Sequence, residues 1–214
     1  MNILVVNGSG SIGSALVGVL SGSEERVFYT SNNPDDQALD NCIHWKYSGS
    51  DSVDKLFETV KQHVDSVDAV VNCLGSIILK PAHLTTEEEL DDTIDINLRS
   101  SFFILKKAFP LMRKNGGNIL FFSSAAASIG LVNHEAIAAA KGGLEALVRS
   151  AAATYAKKNI RVNAVALGLV ETSLSSKIVE NPISLEMSKK MHSLGRIGTP
   201  ESVINIAKQL IVDK

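Results

Sequence analysis

Residues 2–13 read NILVVNGSGSIG, a short apolar run followed at once by a loop with glycine at positions 8, 10 and 13. A helical pattern then continues to about Leu20. In a strand–loop–helix unit of this kind, the glycines permit a tight turn, a close approach of the backbone to a pyrophosphate, and close packing of the helix on the strand. The stretch therefore predicts a dinucleotide site, and the alternative is an ordinary glycine-rich turn.

Outward from this loop, strand-like and helix-like stretches alternate along the chain. The apolar runs typical of strands cover residues 2–6, 26–30, 43–47, 68–73, 118–122 and 160–165. The later helical patterns cover residues 51–64, 86–96 continuing into 97–114, 134–158 and 200–212. The strands are continuously apolar, as expected for a parallel sheet with helices on both faces. We predict an α/β fold, a single doubly wound, Rossmann-like three-layer sandwich over residues 1–214.

The composition limits the classes to which the protein can belong. The 214 residues carry a net charge of −2, so the sequence predicts no basic surface for nucleic acid or anionic lipid. No apolar stretch approaches the roughly 18 residues that span a membrane. Cys42 and Cys73 lie in or beside strand-like runs, which suits reduced thiols in the cytoplasm. The five histidines lack metal-ligand spacing, so no metal is expected.

Residues 168–198 differ from the rest of the chain. They carry serines, glycines, an Asn-Pro pair and scattered Leu, Ile and Met, with only short helical patterns. They follow a predicted strand, and open α/β sheets bind ligands at the carboxyl ends of their strands. We therefore expect a substrate lid over a ligand crevice, and the alternative is a surface excursion that only packs.

The residues after the second strand bear on the choice between NAD and NADP. NAD sites of this fold carry an acidic residue there for the ribose hydroxyl, and NADP sites carry a cation for the 2′-phosphate. The sequence TSNN at residues 30–33 supplies neither, and Asp35 and Asp36 are expected in the following loop. The absence of an acid favours NADP, with Ser31 or Asn32 as its hydrogen-bond partner, and NAD is the alternative.

Seven motifs, in order along nearly the whole chain, resemble those of the short-chain dehydrogenase/reductase family. They are VVNGSGSIGSALV at 5–17, VVNCLG at 70–75, IDINL at 94–98, ILFFSS at 119–124, AAAKGG at 138–143, IRVNAVALG at 160–168 and GRIGTPE at 195–201. The resemblance implies the doubly wound fold and an NAD(P)(H)-dependent oxidoreductase. Such an enzyme moves a hydride to or from a carbonyl or alcohol carbon, here on a small, partly apolar substrate.

The resemblance also implies roles for individual residues. Asn97, Ser124 and Lys141 match three of the four catalytic positions of the family. The fourth is a tyrosine four residues before the lysine, and that residue is Ile137 here, which cannot transfer a proton. The expected cofactor contacts are Gly8, Ser9, Gly10, Ser11, Ile12, Gly13, Ser31, Asn32, Asn72, Gly75, Lys141, Gly168 and Thr172.

Each catalytic candidate also has a purely structural alternative. Lys141 interrupts an apolar helical stripe, so its amine either binds the ribose hydroxyls of the cofactor or simply reaches water. Ser124 follows a predicted strand and either polarises a substrate carbonyl or caps a loop, with Ser123 as a competing candidate. Asn97 lies in a mostly apolar helix, where it either holds a water that leads to Lys141 or is a satisfied structural amide.

His134 is the candidate replacement for the missing acid. It precedes Ile137 by three residues and Lys141 by seven, so it shares their helical face if Asn133 caps the helix. An imidazole there could pass a proton to the substrate oxygen. The alternative is a solvent-facing histidine in the first helical turn.

Three classes of function are consistent with the sequence. The first is the oxidoreductase, and the second is a catalytically inactive dinucleotide-binding protein that acts as a sensor or oligomer partner, which Ile137 favours. A structural subunit without cofactor requires the glycine loop to be vestigial. The alanine-rich helix at 136–156 packs either within the chain or, as the resemblance implies, across the interface of a homodimer or homotetramer. Family members usually have one more strand, so we expect their final strand to be missing here.

Overall fold

The computed structural model describes residues 1–22, 24–38 and 40–212. The strands are β1 (Asn2–Val6), β2 (Arg26–Ser31), β3 (Cys42–His44), β4 (Ala69–Asn72), β5 (Gly117–Ser124) and β6 (Ile160–Leu167). The helices are α1 (Ser11–Ser21), α2 (Ser50–His63), α3 (Glu87–Ile94), α4 (Ser100–Met112), α5 (Glu135–Tyr155), α6 (Ser176–Val179), α7 (Pro182–Met191) and α8 (Pro200–Val212).

The six strands form one parallel sheet in the order β3-β2-β1-β4-β5-β6. The chain enters at β1 in the middle, builds outward to β3, and then returns to build outward from β4 to β6. This reversal of direction between β1 and β4 makes the sheet doubly wound and opens a crevice at the carboxyl ends of those two strands. The predicted fold class is therefore confirmed.

Helices cover both faces of the sheet and produce two separate apolar cores. On one face α2, α4 and α5 bury side chains such as Phe57, Ile104 and Leu144 against the strands. On the other face α1 and α8 bury residues such as Leu16 and Ile204. Because the central strands β1, β4 and β5 are buried on both faces, their sequences are continuously apolar. Each large side chain so buried stabilises the fold by about 1.5–3 kcal/mol.

Two elements differ from the sequence prediction. The third strand ends at His44 and not at residue 47. The Trp45 N–H still donates to the Ser31 carbonyl oxygen at 2.7 Å, but β2 itself ends at Ser31, so residues 46 and 47 have no partner strand. The long helix predicted from residue 86 to 114 is divided by a π-helical turn at Asp95–Arg99. Such turns widen a helix by one residue and are frequent at functional sites.

Residues 168–198 leave the sheet after β6, and the two ends of the segment meet in an isolated bridge between Val170 and Gly198. The Glu171 N–H donates to the Gly198 carbonyl oxygen at 3.0 Å, and the Gly198 N–H donates to the Leu169 carbonyl oxygen at 2.8 Å. Between these ends lie α6 and α7. The ring of His192 accepts the Leu169 N–H at its Nε2 atom at 3.1 Å, which fastens the end of α7 to the start of the segment.

Candidate cofactor and catalytic site

The loop between β1 and α1 folds tightly against its neighbours. Asn7 has φ 58°, a left-handed conformation that asparagine tolerates better than most residues, and its amide donates to the Cys73 carbonyl oxygen at 3.2 Å. A Cβ atom on Gly8 would lie 2.5 Å from the Cβ of Tyr29, and one on Gly13 would lie 2.8 Å from the Cα of Gly8. Only glycine at these two positions lets the loop approach β2 and α1 this closely.

The start of α1 is suited to an anion. Gly10 is its N-cap and makes no side-chain capping bond, and its first turn holds no acidic residue. The first N–H groups of a helix have no partner inside the helix, and the helix dipole adds partial positive charge there. The start of α1 could therefore hold an anionic group such as a phosphate at the crevice.

A cleft runs along the carboxyl edge of the sheet on both sides of this loop. One cavity of about 350 Å³ is bounded by the loop, the start of α1 and residues 172–174. A second cavity of about 400 Å³ shares Asn7, Asn32 and Gly75 with the first and continues past Trp45 and Lys46. The predicted cofactor residues that line the first cavity are Ser9, Gly10, Ser11, Ile12, Gly13, Asn32, Gly75 and Thr172.

The other predicted cofactor residues line neither cavity; they are Gly8, Ser31, Asn72, Lys141 and Gly168. The Asn72 amide is used inside the fold, because its nitrogen donates to Ser101 Oγ at 3.1 Å and its oxygen accepts the Leu74 N–H at 3.1 Å. Gly168 lies directly against the ring of His192.

The end of β2 has a carboxylate beside it, which the sequence did not lead us to expect there. Asp36 was expected to lie away in the following loop, but its carboxylate returns to the strand end and accepts the Ser31 hydroxyl at 2.6 Å. The same carboxylate accepts the side-chain amide of Asn33 at 3.3 Å. The local sequence PDDQA forms a 3₁₀ turn at Pro34–Ala38 that brings the acid back. An acid therefore does follow the second strand in space, and the Ser31 hydroxyl already has an acceptor.

Lys141 is almost completely buried, with 7% of its surface exposed. Its Nζ donates to the carbonyl oxygen of Phe122, in β5, at 2.8 Å. Burial lowers the pKa of the Lys141 ammonium to about 8, because an apolar environment disfavours the charged form. Lys141 is therefore not a lysine whose amine reaches bulk water.

The two serines at the end of β5 have different partners. The Ser123 hydroxyl is buried and donates to Glu145 Oε1 at 2.8 Å, which engages it in the fold. Ser124 is half-buried, and its Oγ accepts the Ala126 N–H at 3.2 Å. Within residues 1–22, 24–38 and 40–212 the Ser124 hydroxyl hydrogen has no acceptor. Ser124 is thus the serine that can donate a hydrogen bond to a ligand.

Asn97 lies in the π-helical turn and holds the chain that follows β4. Its Nδ2 donates to the Thr93 carbonyl oxygen at 2.9 Å and to Ser76 Oγ at 2.9 Å, and its Oδ1 accepts the Ser76 N–H at 3.2 Å. The amide is thus satisfied within the fold, and a Cβ on Gly75 would lie 3.5 Å from its oxygen. Ser76 was not among the predicted site residues. Its position directly after the VVNCLG motif, at the end of a predicted strand, could have indicated it.

Ile137 is buried inside helix α5, whereas His134 lies at the start of that helix as its N-cap. Ile137 is 4% exposed and lies one turn before Lys141. The expected cap Asn133 is wrong: Asn133 has φ 63°, its carbonyl oxygen accepts the Lys80 N–H at 2.8 Å, and His134 is the N-cap. His134 Nδ1 lies 2.7 Å from the Val132 carbonyl oxygen. Seven helical residues, about 10 Å of helix rise, separate His134 from Lys141.

The segment after β6 touches the phosphate-binding end of α1. The Ser173 N–H donates to Ser11 Oγ at 3.1 Å, and the two serine hydroxyls are 3.2 Å apart. Thr172 and Ser175 form a reciprocal capping pair that fixes the turn. Leu174 lines the first cavity. This contact connects residues 168–198 with the cleft.

The described ranges hold neither a cluster of metal ligands nor a membrane-spanning helix. In those residues no group of three His, Cys, Asp or Glu side chains is arranged to hold a metal ion. No helix in the same ranges is long and apolar enough to cross a bilayer.

Comparison with known proteins assigns the chain to a family. A family model described as enoyl-(acyl carrier protein) reductase matches residues 9–214. A chloroplastic tropinone reductase homologue of Arabidopsis thaliana is 33% identical over 218 residues, covering 95% of this chain and 67% of that protein. The chain belongs to the short-chain dehydrogenase/reductase family. It is therefore related to NAD(P)-dependent oxidoreductases.

Two solved structures superpose closely on the chain. The ligand-free aldohexose dehydrogenase of Thermoplasma acidophilum is 25% identical with a TM-score of 0.88, covering 98% of this chain and 86% of that one. The protein ElxO, solved with NADP bound, is 22% identical with a TM-score of 0.89, covering 100% of this chain and 92% of that one. The likeness to ElxO is one of fold.

Proposed function

We propose that this short-chain dehydrogenase/reductase is an NAD(P)(H)-dependent oxidoreductase that reduces a carbonyl group, or oxidises the corresponding alcohol, on a small, partly apolar substrate. One observation carries the proposal. A cleft with a phosphate-binding helix start lies beside two hydrogen-bond donors, the Ser124 hydroxyl and the Lys141 ammonium, at the carboxyl end of β5. These are the parts that binding a dinucleotide and polarising a carbonyl require.

The cleft fits a nicotinamide dinucleotide. The start of α1 would bind the pyrophosphate, and the Lys141 amine, which uses one hydrogen for Phe122, would donate a second to a ribose hydroxyl of the cofactor. When bound, the cofactor supplies the hydride. Gly75 lines both cavities, and the absence of a side chain there keeps the passage between them and Lys141 open.

We propose NADP(H) as the preferred cofactor, with NAD(H) as the alternative. Ser31 is engaged by Asp36, so Asn32 and Lys46, which line the second cavity, replace it as the proposed partners of a 2′-phosphate. The negative charge of Asp36 would repel a 2′-phosphate, and the hydrogen bonds that its carboxylate accepts from Ser31 and Asn33 partly offset this charge. Asp36→Asn should therefore strengthen NADPH binding more than NADH binding.

The substrate side is apolar. The connection after β4 and the connection after β5 are held together by the backbone bond from Lys80 to Asn133. Both connections start next to the donor groups, at Gly75 and Ser124. We define the exposed apolar side chains of these two connections as the apolar wall; they are Ile77, Leu79, Leu84, Ile129 and Val132. A carbonyl compound with an alkyl or ring substituent would cover this surface.

Val132→Asp is expected to raise KM for an apolar ketone by about tenfold, because Val132 is 85% exposed in the apolar wall and a carboxylate would replace about 1–2 kcal/mol of apolar contact. Steady-state kinetics on ketones of increasing alkyl length measure the change. The matched control is Ile206→Asp on α8, where Ile206 is 55% exposed and lies outside the two connections that carry the apolar wall. Equal effects of the two substitutions would contradict the proposed location of the substrate.

We propose two further properties from the structure and the sequence together. The outer face of α5 carries exposed alanines at 139, 146 and 153, one every seven residues, which suits close packing with a second copy in a homodimer or homotetramer.

The free thiols Cys42 and Cys73 suit a reducing compartment such as the cytoplasm. The tropinone reductase homologue is itself chloroplastic.

Turnover separates the proposed enzyme from an inactive dinucleotide-binding protein. Incubation with NADPH or NADH and a panel of apolar ketones and aldehydes should oxidise the cofactor and form one alcohol per cofactor consumed. Saturable cofactor binding without any product would support the second candidate, for which Ile137 is the favouring observation. Absence of both binding and turnover would support a structural subunit.

A further inference from the structure

The Lys141 side chain is the only charged group among the buried residues of the ranges that the structure describes. An ammonium carries three hydrogens, and only one has an acceptor in those ranges, the Phe122 carbonyl oxygen at 2.8 Å. A buried cation with two unused donors is costly for the fold unless a ligand completes its hydrogen bonds. The position of Lys141 therefore suits hydrogen bonding to a ligand that enters the cleft.

The cleft reaches Nζ through Gly75. A Cβ atom on Gly75 would lie 3.9 Å from Lys141 Nζ, which is ordinary van der Waals contact, so no other atom separates the two. Gly75 lines both cavities. Phe122, which binds Nζ, precedes Ser124 by two residues in β5, about 6.6 Å along the strand. Ser124 therefore lies close to the ammonium along β5, although its side chain lines neither cavity.

Within the described residues, no charged group on the elements around Lys141 forms an ion pair with its ammonium. This includes Asp91 and Asp92 on α3, which packs against α5, and Glu135 on α5 itself. On α5, Glu145 accepts the Ser123 hydroxyl at 2.8 Å, and in the π-helical turn Asp95 accepts the Tyr47 hydroxyl at 3.1 Å. Asp95 also pairs with Arg99 at 3.5 Å. On β6 the charged residue is Arg161, whose Nε donates to Asn118 at 2.7 Å. After β4, burial raises the pKa of the Cys73 thiol to about 12, so it stays neutral.

No carboxylate therefore holds the proton on Lys141. Burial alone lowers the pKa of its ammonium to about 8. A group with a pKa near the working pH is both protonated often enough and acidic enough to act as a general acid. Ile137, one turn earlier on α5, has no proton to give, and His134 is about 10 Å further along the helix axis.

We propose that Lys141 is a catalytic residue that donates its own proton to the carbonyl oxygen of the substrate. This inference rests on the proposed function and adds a chemical step to the binding role of Lys141. The reduced nicotinamide provides a hydride, with its two electrons, to the carbonyl carbon. The N–H bond of Nζ breaks, an O–H bond forms on the substrate oxygen, and the neutral amine takes a proton from water. Ser124 donates a hydrogen bond to the same oxygen and keeps its proton.

The first test compares two pH dependences on the complete chain. The rate of reduction should fall as the pH rises through about 8, because the ammonium is lost, and alcohol oxidation should rise over the same range. The titration of Lys141 Nζ, followed by heteronuclear NMR without cofactor, should fall in the same pH range. Reduction with no alkaline fall would overturn the inference, and so would a fall removed by His134→Ala.

The second test is chemical rescue of Lys141→Ala by primary alkylamines of different pKa. If Lys141 donates the proton, rescued kcat at saturating cofactor should vary with the acidity of the amine. The Kd of the cofactor, measured by quenching of Trp45 fluorescence, should respond to amine charge and size but not to amine pKa. Rescue that is equal for all amines would overturn the inference and leave Lys141 as a positioning residue.

The two tests keep the inference distinct from the proposed function. Wild-type protein that reduces no carbonyl would refute the proposed function and this inference together. Wild-type turnover without an alkaline fall, or with rescue indifferent to amine acidity, would refute the inference alone.

Discussion

Ile137→Tyr is expected to raise kcat for carbonyl reduction by about 10²-fold, the lower end of the usual contribution of a positioned acid, because Lys141 already donates a proton in the wild type. The new phenol would lie one helical turn before Lys141 on the same face, where the ammonium would favour its ionised form. Ile137 is buried, so the larger ring would cost about 1–3 kcal/mol of stability. Single-turnover kinetics with saturating cofactor measure the gain, and thermal unfolding measures the cost.

Ile137→Phe is the matched control for this substitution, because it adds the same ring without the hydroxyl. We expect it to share the loss of stability and to show no gain in kcat. Ile137→Tyr should also move the alkaline fall of the reduction rate, since the phenol would share the proton donation with Lys141. Equal kcat values for the two variants would show that the site lacks more than an acid at position 137.

Ser124→Ala is expected to lower kcat by about 10²–10³-fold while the Kd of the cofactor stays unchanged. Its hydroxyl hydrogen has no acceptor within the described ranges, so it is available to a substrate oxygen, and removing one such donor typically costs this much. Because the bond matters most when negative charge develops on the oxygen, the loss should appear in kcat more than in KM. Initial rates on one ketone and a cofactor titration measure both quantities.

Ser123→Ala provides the comparison within the same strand. The Ser123 hydroxyl donates to Glu145, so its loss should lower the free energy of unfolding by about 1 kcal/mol and leave kcat close to wild type. A larger loss of kcat in Ser123→Ala than in Ser124→Ala would reverse the assignment of the two serines.

Most of the sheet is predictable because its signal is local. The apolar runs that became β1, β4 and β5 are buried on both faces, and the glycine loop identifies where the first helix begins. Helix α8 has the predicted bounds, 200–212, since Pro200 suits a helix start. The early end of β3 was not predictable in this way, because it depends on where the neighbouring strand β2 ends, at Ser31.

The parts of the site that differ from prediction depend on chain reversals. Asp36 comes back to Ser31 through a 3₁₀ turn, so counting residues beyond β2 placed the acid too far away. Asn133 has the composition of a helix cap but adopts a left-handed conformation, since its carbonyl oxygen binds Lys80 in a distant connection. Neither contact has a signature in the local sequence.

The catalytic candidates show the same division. The motifs indicated Ser124 and Lys141, but the partners that decide what each can do, Ala126 and Phe122, are properties of the folded chain. The amide of Asn97 could be either a water ligand or a structural group from sequence alone. The structure shows it holding Ser76, the residue that follows Gly75 at the wall of the cleft.

Cofactor binding to the unmodified protein tests the central claim most directly. The single tryptophan, Trp45, lines the second cavity, so a bound reduced nicotinamide dinucleotide should quench its emission by energy transfer. Separate titrations with NADPH and NADH, each checked by calorimetry, should give saturable one-site binding, with NADPH the tighter ligand. A folded sample that shows neither quenching nor heat with either cofactor would contradict the account.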